Sequence, residues 1–269
     1  MTGFYDILSI RNRAVKELFR LRVGRRRARS QKGLCLVRGR QLVQSIGQVV
    51  KFKEVFTFEP RETFGSYHAE KVVRVQKNVL QHVLFGCKEE HAKRFEDQDF
   101  VIGTAEQPPP VKEFAPAPRR LLMIDRIKHP ENMGRLLTSA VALKFDGVML
   151  HPECVDPFSY KVLDASQAVA WTLPYCYASY SELKELAERH KLLLCAGSLH
   201  GQAVSELPSL SEHQGFCLII GNEAEGVQQE LLQHCLQVSL PMSELMESLN
   251  ASVAGGILMH SLCSIWNQI

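Results

Sequence analysis

The chain has 269 residues, 45% of them hydrophobic and 23% charged, with a formal net charge of +3 at neutral pH. That length suits two ordinary domains, and the balance of apolar and charged residues excludes a collagen-like or wholly disordered chain. No run approaches the roughly 20 apolar residues of a membrane-spanning helix, and the N-terminus lacks the apolar core of a secretory signal, so an intracellular protein with no membrane partner is expected.

The first elements carry most of the charge asymmetry. Residues 11 to 40 hold Arg11, Arg13, Lys16, Arg20, Arg22, Arg25, Arg26, Arg27, Arg29, Lys32, Arg38 and Arg40 against the single acid Glu17. A basic block of this density is the usual footprint of phosphate binding, and Arg22, Arg25, Arg26, Arg27 and Arg29 are its densest part. A solvated helix face and an Arg-rich organellar targeting segment are the blander readings, although Asp6 and the run from Phe4 to Ile10 argue against a pure transit peptide. A mitochondrion or other organelle suits the arginine-rich start; cytoplasm or nucleolus fits equally well.

Helical spacing runs from Arg13 to Leu21, followed by a short strand at Gly33 to Val37, a helix at Gln41 to Ile46 and a strand at Glu54 to Thr57. Residues 1–106 therefore read as a small α/β domain. Between residues 107 and 120, Pro108, Pro109, Pro110, Pro116 and Pro118 fix φ and remove backbone donors, which predicts a stiff linker. Beyond it, residues 121–269 alternate regularly. Strands are expected at Leu121 to Ile124, Gly147 to Leu150, Lys191 to Ala196, Phe216 to Ile220 and Gln237 to Leu240. Helices are expected at Met133 to Leu143, Ser181 to His190, Gln228 to Cys235 and Ser252 to Trp266. This pattern predicts an α/β domain on a mostly parallel sheet, with ligands beyond the carboxyl ends of its strands. Eight cysteines, at 35, 87, 154, 176, 195, 217, 235 and 263, form no C-x-x-C pair, so spacing suggests neither a zinc site nor a disulfide framework, and reduced, mostly buried thiols are expected.

Three segments at strand ends are unusual. Pro130-Glu131-Asn132-Met133-Gly134-Arg135 opens a helix, where Asn132 can cap while its neighbours present N–H groups to an anion. In Ile219-Ile220-Gly221-Asn222-Glu223-Ala224-Glu225-Gly226-Val227, a buried strand runs into a glycine-bracketed turn with two carboxylates, a shape that suits close backbone approach to a ligand. The third, Leu240-Pro241-Met242 followed by Glu247-Ser248-Leu249-Asn250-Ala251-Ser252-Val253-Ala254-Gly255-Gly256, offers short polar groups before a helix whose small residues allow tight packing. Each alone has a plain structural reading: a cap, a solvated turn, a closely packed helix.

Together and in this order, the three segments resemble the SpoU, or TrmH-like, RNA 2′-O-ribose methyltransferases of the SPOUT class. The likeness covers roughly residues 120 to 269, with a looser similarity from Asn12 to Gly47 to the RNA-binding domain that precedes the catalytic domain in many members; Arg38 stands where those members usually have an acid. The resemblance implies S-adenosylmethionine as cofactor, a C-terminal segment threaded through a trefoil knot, structured rRNA or tRNA as substrate, and a dimer with itself or a related chain. By position it assigns Gly197, Gly221, Leu240 and Leu249 to the cofactor, with Cys195-Ala196-Gly197-Ser198 nearby, and Asn132, Glu223, Ser248 and Asn250 to the active site. The family's first motif also carries an arginine six residues after its asparagine, where this chain has Thr138, which cannot supply a guanidinium. Arg135, one turn earlier on the same helix, is the candidate substitute. The alternative is a protein that keeps the fold without turnover and serves as an RNA-binding ribosome-assembly factor.

Overall fold

A computed structural model describes residues 6, 7, 9–24, 26–85, 100–207, 213–243 and 245–266. In chain order the strands are β1 (Asp6–Ile7), β2 (Leu34–Arg38), β3 (Phe52–Thr57), β4 (Ala69–Val75), β5 (Ile102–Glu106), β6 (Arg120–Ile124), β7 (Gly147–Leu150), β8 (Tyr175–Tyr177), β9 (Leu192–Ala203), β10 (Gly215–Ile220) and β11 (Leu236–Ser239). The α-helices are α1 (Arg13–Val23), α2 (Arg26–Lys32), α3 (Arg40–Ile46), α4 (Lys77–Phe85), α5 (Pro130–Ala142), α6 (Tyr160–Ala165), α7 (Tyr180–His190), α8 (Gln229–Leu232) and α9 (Ala251–Trp266). The chain divides into two compact units, Met1–Pro108 with Phe158–Ala168, and Pro109–Pro157 with Val169–Ile269.

In the first unit, the Asn12 side chain caps α1 by accepting from the Ala14 N–H at 2.9 Å, and Val15, Leu18 and Leu21 recur at helical spacing on its buried face. That face meets Leu36, Phe56, Val79, Leu80, Phe100 and Ile102 over a five-stranded sheet of order β1-β4-β3-β5-β2. Strand β5 runs antiparallel to both β2 and β3, whereas the remaining pairs are parallel. Helix α6 groups with this unit although it lies beyond the proline-rich segment in sequence. Its Tyr160 packs on the same core, and Asp164 pairs with Arg38.

The second unit is a six-stranded sheet of order β11-β9-β10-β6-β7-β8 in which every pairing is parallel. Its central strands read as unbroken apolar runs because both faces are covered: Leu121 to Ile124 and Phe216 to Ile220 are all buried. The proline-rich stretch is held against this sheet. The Val111 N–H donates to the Tyr175 carbonyl at 2.8 Å, and Phe114 is buried over Gly147, where a Cβ would lie 2.2 Å from its ring.

Helix α5 buries Met133, Leu136, Leu137 and Ala140 in an i, i+3, i+4, i+7 stripe. The closing helix α9 lies against α5 and β10 at Gly255, whose Cβ would stand 2.4 Å from Leu136 Cδ2 and 3.3 Å from Ile220 Cγ1. β9 runs seven residues beyond its expected end at Ala196, because a register shift between Gln237 and Val238 lets β11 pair again with Gln202 and Ala203. For the same reason the helix expected to reach Cys235 ends at Leu232: the chain must turn to enter β11 at Leu236.

Among the described residues no helix is long and apolar enough to cross a membrane. The described cysteines are free thiols, and Cys35, Cys154, Cys195, Cys217 and Cys263 are buried. Burial pushes the Cys195 and Cys235 thiols up to about 12, which leaves them unreactive at neutral pH.

Candidate functional site

Strands β6 and β10 are neighbours in register, so Ile124 lies beside Ile220 and the segments that follow them leave the sheet together. After β10 the chain makes a tight turn in which Asn222 and Gly226 exchange backbone hydrogen bonds of 3.0 and 2.9 Å. The Asn222 Oδ1 accepts from the N–H groups of Ala224 and Glu225 at 2.9 and 3.1 Å, closing the turn from within. Gly226 has a φ of +69°, and a Cβ on Gly221 would fall 2.2 Å from the Gly226 carbonyl carbon. The glycine bracket is therefore a requirement of the turn itself.

This turn forms one wall of a cleft of about 310 Å³. Leu240, Met242 and Glu247 to Leu249, together with Gly197 midway along β9, supply the others, and Leu258 closes on Gly197 from α9. Gly197, Gly221, Leu240 and Leu249 all line the cleft, together with Glu223 and Ser248. The lining is mostly backbone and small or apolar side chains, with few polar groups.

A hydrogen-bonded chain runs beside the cleft. The Asn250 Nδ2 donates to Asn132 Oδ1 at 2.9 Å, and the Asn132 Nδ2 donates to Glu223 Oε1 at 2.9 Å. Asn132 is 5% exposed and sits inside the first turn of α5, whose cap is His129 with Pro130 at the next position. The expected capping role of Asn132 is thus corrected: proline takes the first helical position without losing a needed donor, and the asparagine amide is free to bridge. The anion expected at this helix N-terminus is the chain's own Glu223, whose carboxylate accepts from the N–H groups of Lys128 at 3.3 Å and His129 at 3.2 Å. Burial alone would raise the Glu223 pKa, but these donors and the Asn132 amide outweigh it and hold the carboxyl below its usual range. Asn250 also caps α9: its Oδ1 accepts from the Ser252 N–H at 3.0 Å and the Ser252 hydroxyl at 2.7 Å.

These groups fix positions. An ionised, fully occupied Glu223 and two asparagines orient polar atoms well and move protons poorly. The Arg135 side chain is 60% exposed, and its guanidinium lies 3.7 Å from the Glu131 carboxylate, one turn earlier. Thr138, also exposed, donates its hydroxyl to the Gly134 carbonyl at 3.0 Å.

In the other unit, Arg22 lies over the Tyr160 ring at 5.7 Å and Arg26 is half-buried in α2. Arg27 lies in α2 with its side chain outside the described atoms, and Arg25 falls outside the described residues. Arg29 is 4% exposed, and its guanidinium donates to the carbonyls of Leu21 at 3.1 Å and Gly24 at 2.5 Å. It closes the end of α1, a role within the fold in place of an outward contact.

Sequence reasoning missed Asp125, Arg126 and Tyr180. Asp125 is fully buried and accepts from the Tyr180 hydroxyl at 2.8 Å and the Gln228 N–H at 3.1 Å. Burial, with the Asp125 carboxylate beside it, pushes the Tyr180 hydroxyl above its ordinary pKa. An acid directly after a buried strand was the available signal for Asp125; nothing in spacing marks its partners.

A model of the SpoU rRNA Methylase family matches residues 119–260. Over 155 residues the chain is 31% identical to the 23S rRNA (guanosine(2553)-2'-O)-methyltransferase RlmP of Bacillus subtilis, a match that spans 57% of this chain and 61% of that relative. In fold it is similar to the AdoMet-bound rRNA methyltransferase from Sinorhizobium meliloti, with a TM-score of 0.80 at 21% identity over 96% of this chain and 97% of that one. The SpoU methyltransferase AviRb from Streptomyces viridochromogenes, in complex with AdoMet, aligns with a TM-score of 0.78 at 22% identity over 94% of this chain and 98% of its own. At those identities the two structures establish the fold, an α/β architecture shared over nearly the whole chain.

Proposed function

Because the chain belongs to the SpoU rRNA Methylase family, we propose that it methylates a ribose 2′-hydroxyl of structured ribosomal or transfer RNA with S-adenosylmethionine as donor. The observation that carries this reading is the convergence of Gly197, Gly221, Leu240 and Leu249, from three separate segments, on one cleft beside the Asn250–Asn132–Glu223 chain. The cleft suits the cofactor in size and chemistry: about 310 Å³, with a backbone-rich wall at Gly221 to Gly226 and apolar surface from Ile220, Val238 and Leu258. When bound, S-adenosylmethionine supplies an electrophilic methyl group on a sulfonium.

The transfer forms an O–CH3 bond, breaks an S–CH3 bond and releases the hydroxyl proton, so alignment of ribose and donor is the main demand. Asn132, held by Glu223 and Asn250, gives one rigid polar edge; Ser248 presents an exposed hydroxyl at the cleft. Arg135 is the cation assigned to the phosphate flanking the target ribose, since Thr138 lacks one.

The basic face of α1 and α2 is assigned to RNA. Pairing of the second unit with another copy, or with a related chain, draws support from exposed Val253 and Ile257 on α9 and from Leu245 and Met246 before it. The family's knot belongs to this reading, supported by the meeting of three separate segments at one cleft. The relatives are named as methyltransferases, which does not favour an assembly factor without turnover.

Calorimetry with S-adenosylmethionine, alongside transfer of labelled methyl to RNA, tests the proposal. Label is expected in alkali-resistant dinucleotides, because 2′-O-methylation blocks the hydroxyl that alkaline cleavage needs. Arg135→Ala is expected to lower incorporation by about 100-fold with RNA binding largely kept, the scale of a lost positioning group. Cofactor binding and RNA binding without incorporation would instead favour the assembly factor.

A further inference from the structure

The cofactor turn has a second set of anchors that methyl transfer does not use. Arg126, directly after the β6 end, adopts a φ of +58°, a left-handed conformation that a residue with a Cβ rarely takes. Its surroundings show what sustains it. The Arg126 guanidinium, 12% exposed, donates from Nε to Asp125 Oδ1 at 3.1 Å and from a terminal nitrogen to Asp125 Oδ2 at 3.3 Å. It also pairs with the Glu225 carboxylate and donates to the Gly226 carbonyl at 3.1 Å. Its own carbonyl accepts from the Asn222 Nδ2 at 3.0 Å. Asp125, already bonded to the Gln228 N–H, ties down the residue two beyond Gly226.

One residue thus fastens the entry of the turn at Asn222 and its exit at Glu225 and Gly226. Gly221, Asn222, Glu223, Ala224 and Gly226 are cleft-lining residues, so whatever holds the turn also shapes that wall. Charge-assisted bonds are stronger than neutral ones, here most so toward the fully buried Asp125, and a strained backbone persists only where its surroundings over-determine it. We propose that Arg126 is a positioning residue for cofactor binding, which preorganises the Asn222–Gly226 turn to receive S-adenosylmethionine. This rests on the reading of the cleft as the cofactor site.

The test is Arg126→Gly, because glycine accepts a φ of +58° without strain while the guanidinium and all its bonds are lost. Calorimetry is expected to show S-adenosylmethionine affinity reduced by about tenfold or more, as expected for loss of preorganisation. In kinetics the KM for the cofactor rises while kcat at saturation stays within about threefold, a split that general destabilisation does not produce. Arg126→Lys, which keeps the charge and loses the fork, should fall between the two. Wild-type affinity in Arg126→Gly overturns the proposal. Should that variant fail to fold, Glu225→Gln decides: its carboxylate is exposed and outside the cleft lining, a weakening of about threefold supports the clamp, and unchanged affinity overturns it. Absence of cofactor binding by the unaltered chain overturns the cofactor reading first, and this proposal with it.

Discussion

Glu223 shows how a single residue can be visible in sequence while its role is not. Its match to a SpoU motif position marked it as a site residue, but the sequence could not reveal that its carboxylate fills the N-terminus of α5 and fixes Asn132. That arrangement has a pH signature. The folded-state pKa is depressed, so the stabilisation is fully present above the unfolded value near 4.3 and is lost as pH falls through the folded value. Glu223→Gln should therefore be less stable than the parent by about 1–2 kcal/mol at pH 7, the worth of hydrogen bonds to a charged acceptor. The difference should shrink steadily below about pH 4.3, where the parent's own carboxyl begins to protonate. Denaturant titrations at several pH values measure it, and a deficit that does not change with pH would remove the carboxylate from this role. Arg126 was invisible for a related reason: the bonds that tie it to the turn reach residues about a hundred positions away, and no local pattern encodes them.

At the scale of elements, periodicity revealed what packing on one face requires. α1, α5, α7 and α9, and the apolar runs of β6, β7 and β10, were legible because each buries a continuous stripe or both faces of a strand. β4, β5, β8, α2, α4 and α6 were not. β5 takes its place between β2 and β3 through long-range antiparallel pairing, which leaves little trace in five residues reading Ile-Gly-Thr-Ala-Glu.

The small-residue run in α9 was read as a close-packing face, and its two glycines now separate. A Cβ on Gly255 would meet Leu136 Cδ2 at 2.4 Å and Ile220 Cγ1 at 3.3 Å, and Leu136 is fully buried. A Cβ on Gly256 would meet only Ser139 Oγ, at an ordinary 3.6 Å. Alanine in place of glycine gains about 1 kcal/mol of helix propensity at either position, but overpacking at 255 costs about 1–3 kcal/mol. Gly256→Ala should raise the unfolding free energy and Gly255→Ala should lower it. Chemical denaturation of both reads the signs directly, and a shared sign would mean that α9 does not seat against α5 as described.

For the molecule as a whole, composition pointed to a polyanion partner, and the structure sorts the basic residues that composition could only count. Arg26 and Arg29 belong to the same short helix, yet Arg29 is buried against the end of α1 whereas Arg26 is half-buried in α2. If the basic face of the first unit binds RNA phosphates, each contact releases counterions, and the logarithm of affinity falls with the logarithm of salt by about 0.7 per phosphate for single strands. Arg26→Ala should flatten that slope by about 0.7–0.9, with a smaller loss of thermal stability than Arg29→Ala causes. Arg29→Ala should do the reverse. Two carbonyls at the end of α1 would lose their buried donor at a cost of about 1–3 kcal/mol, and the salt slope would stay as in the parent. Filter-binding across a salt series, paired with melting curves, separates the two effects. Equal slopes for Arg26→Ala and the parent would move the RNA contact off α2. A flattened slope for Arg29→Ala at unchanged stability would mean that its guanidinium leaves the end of α1 to reach the phosphates.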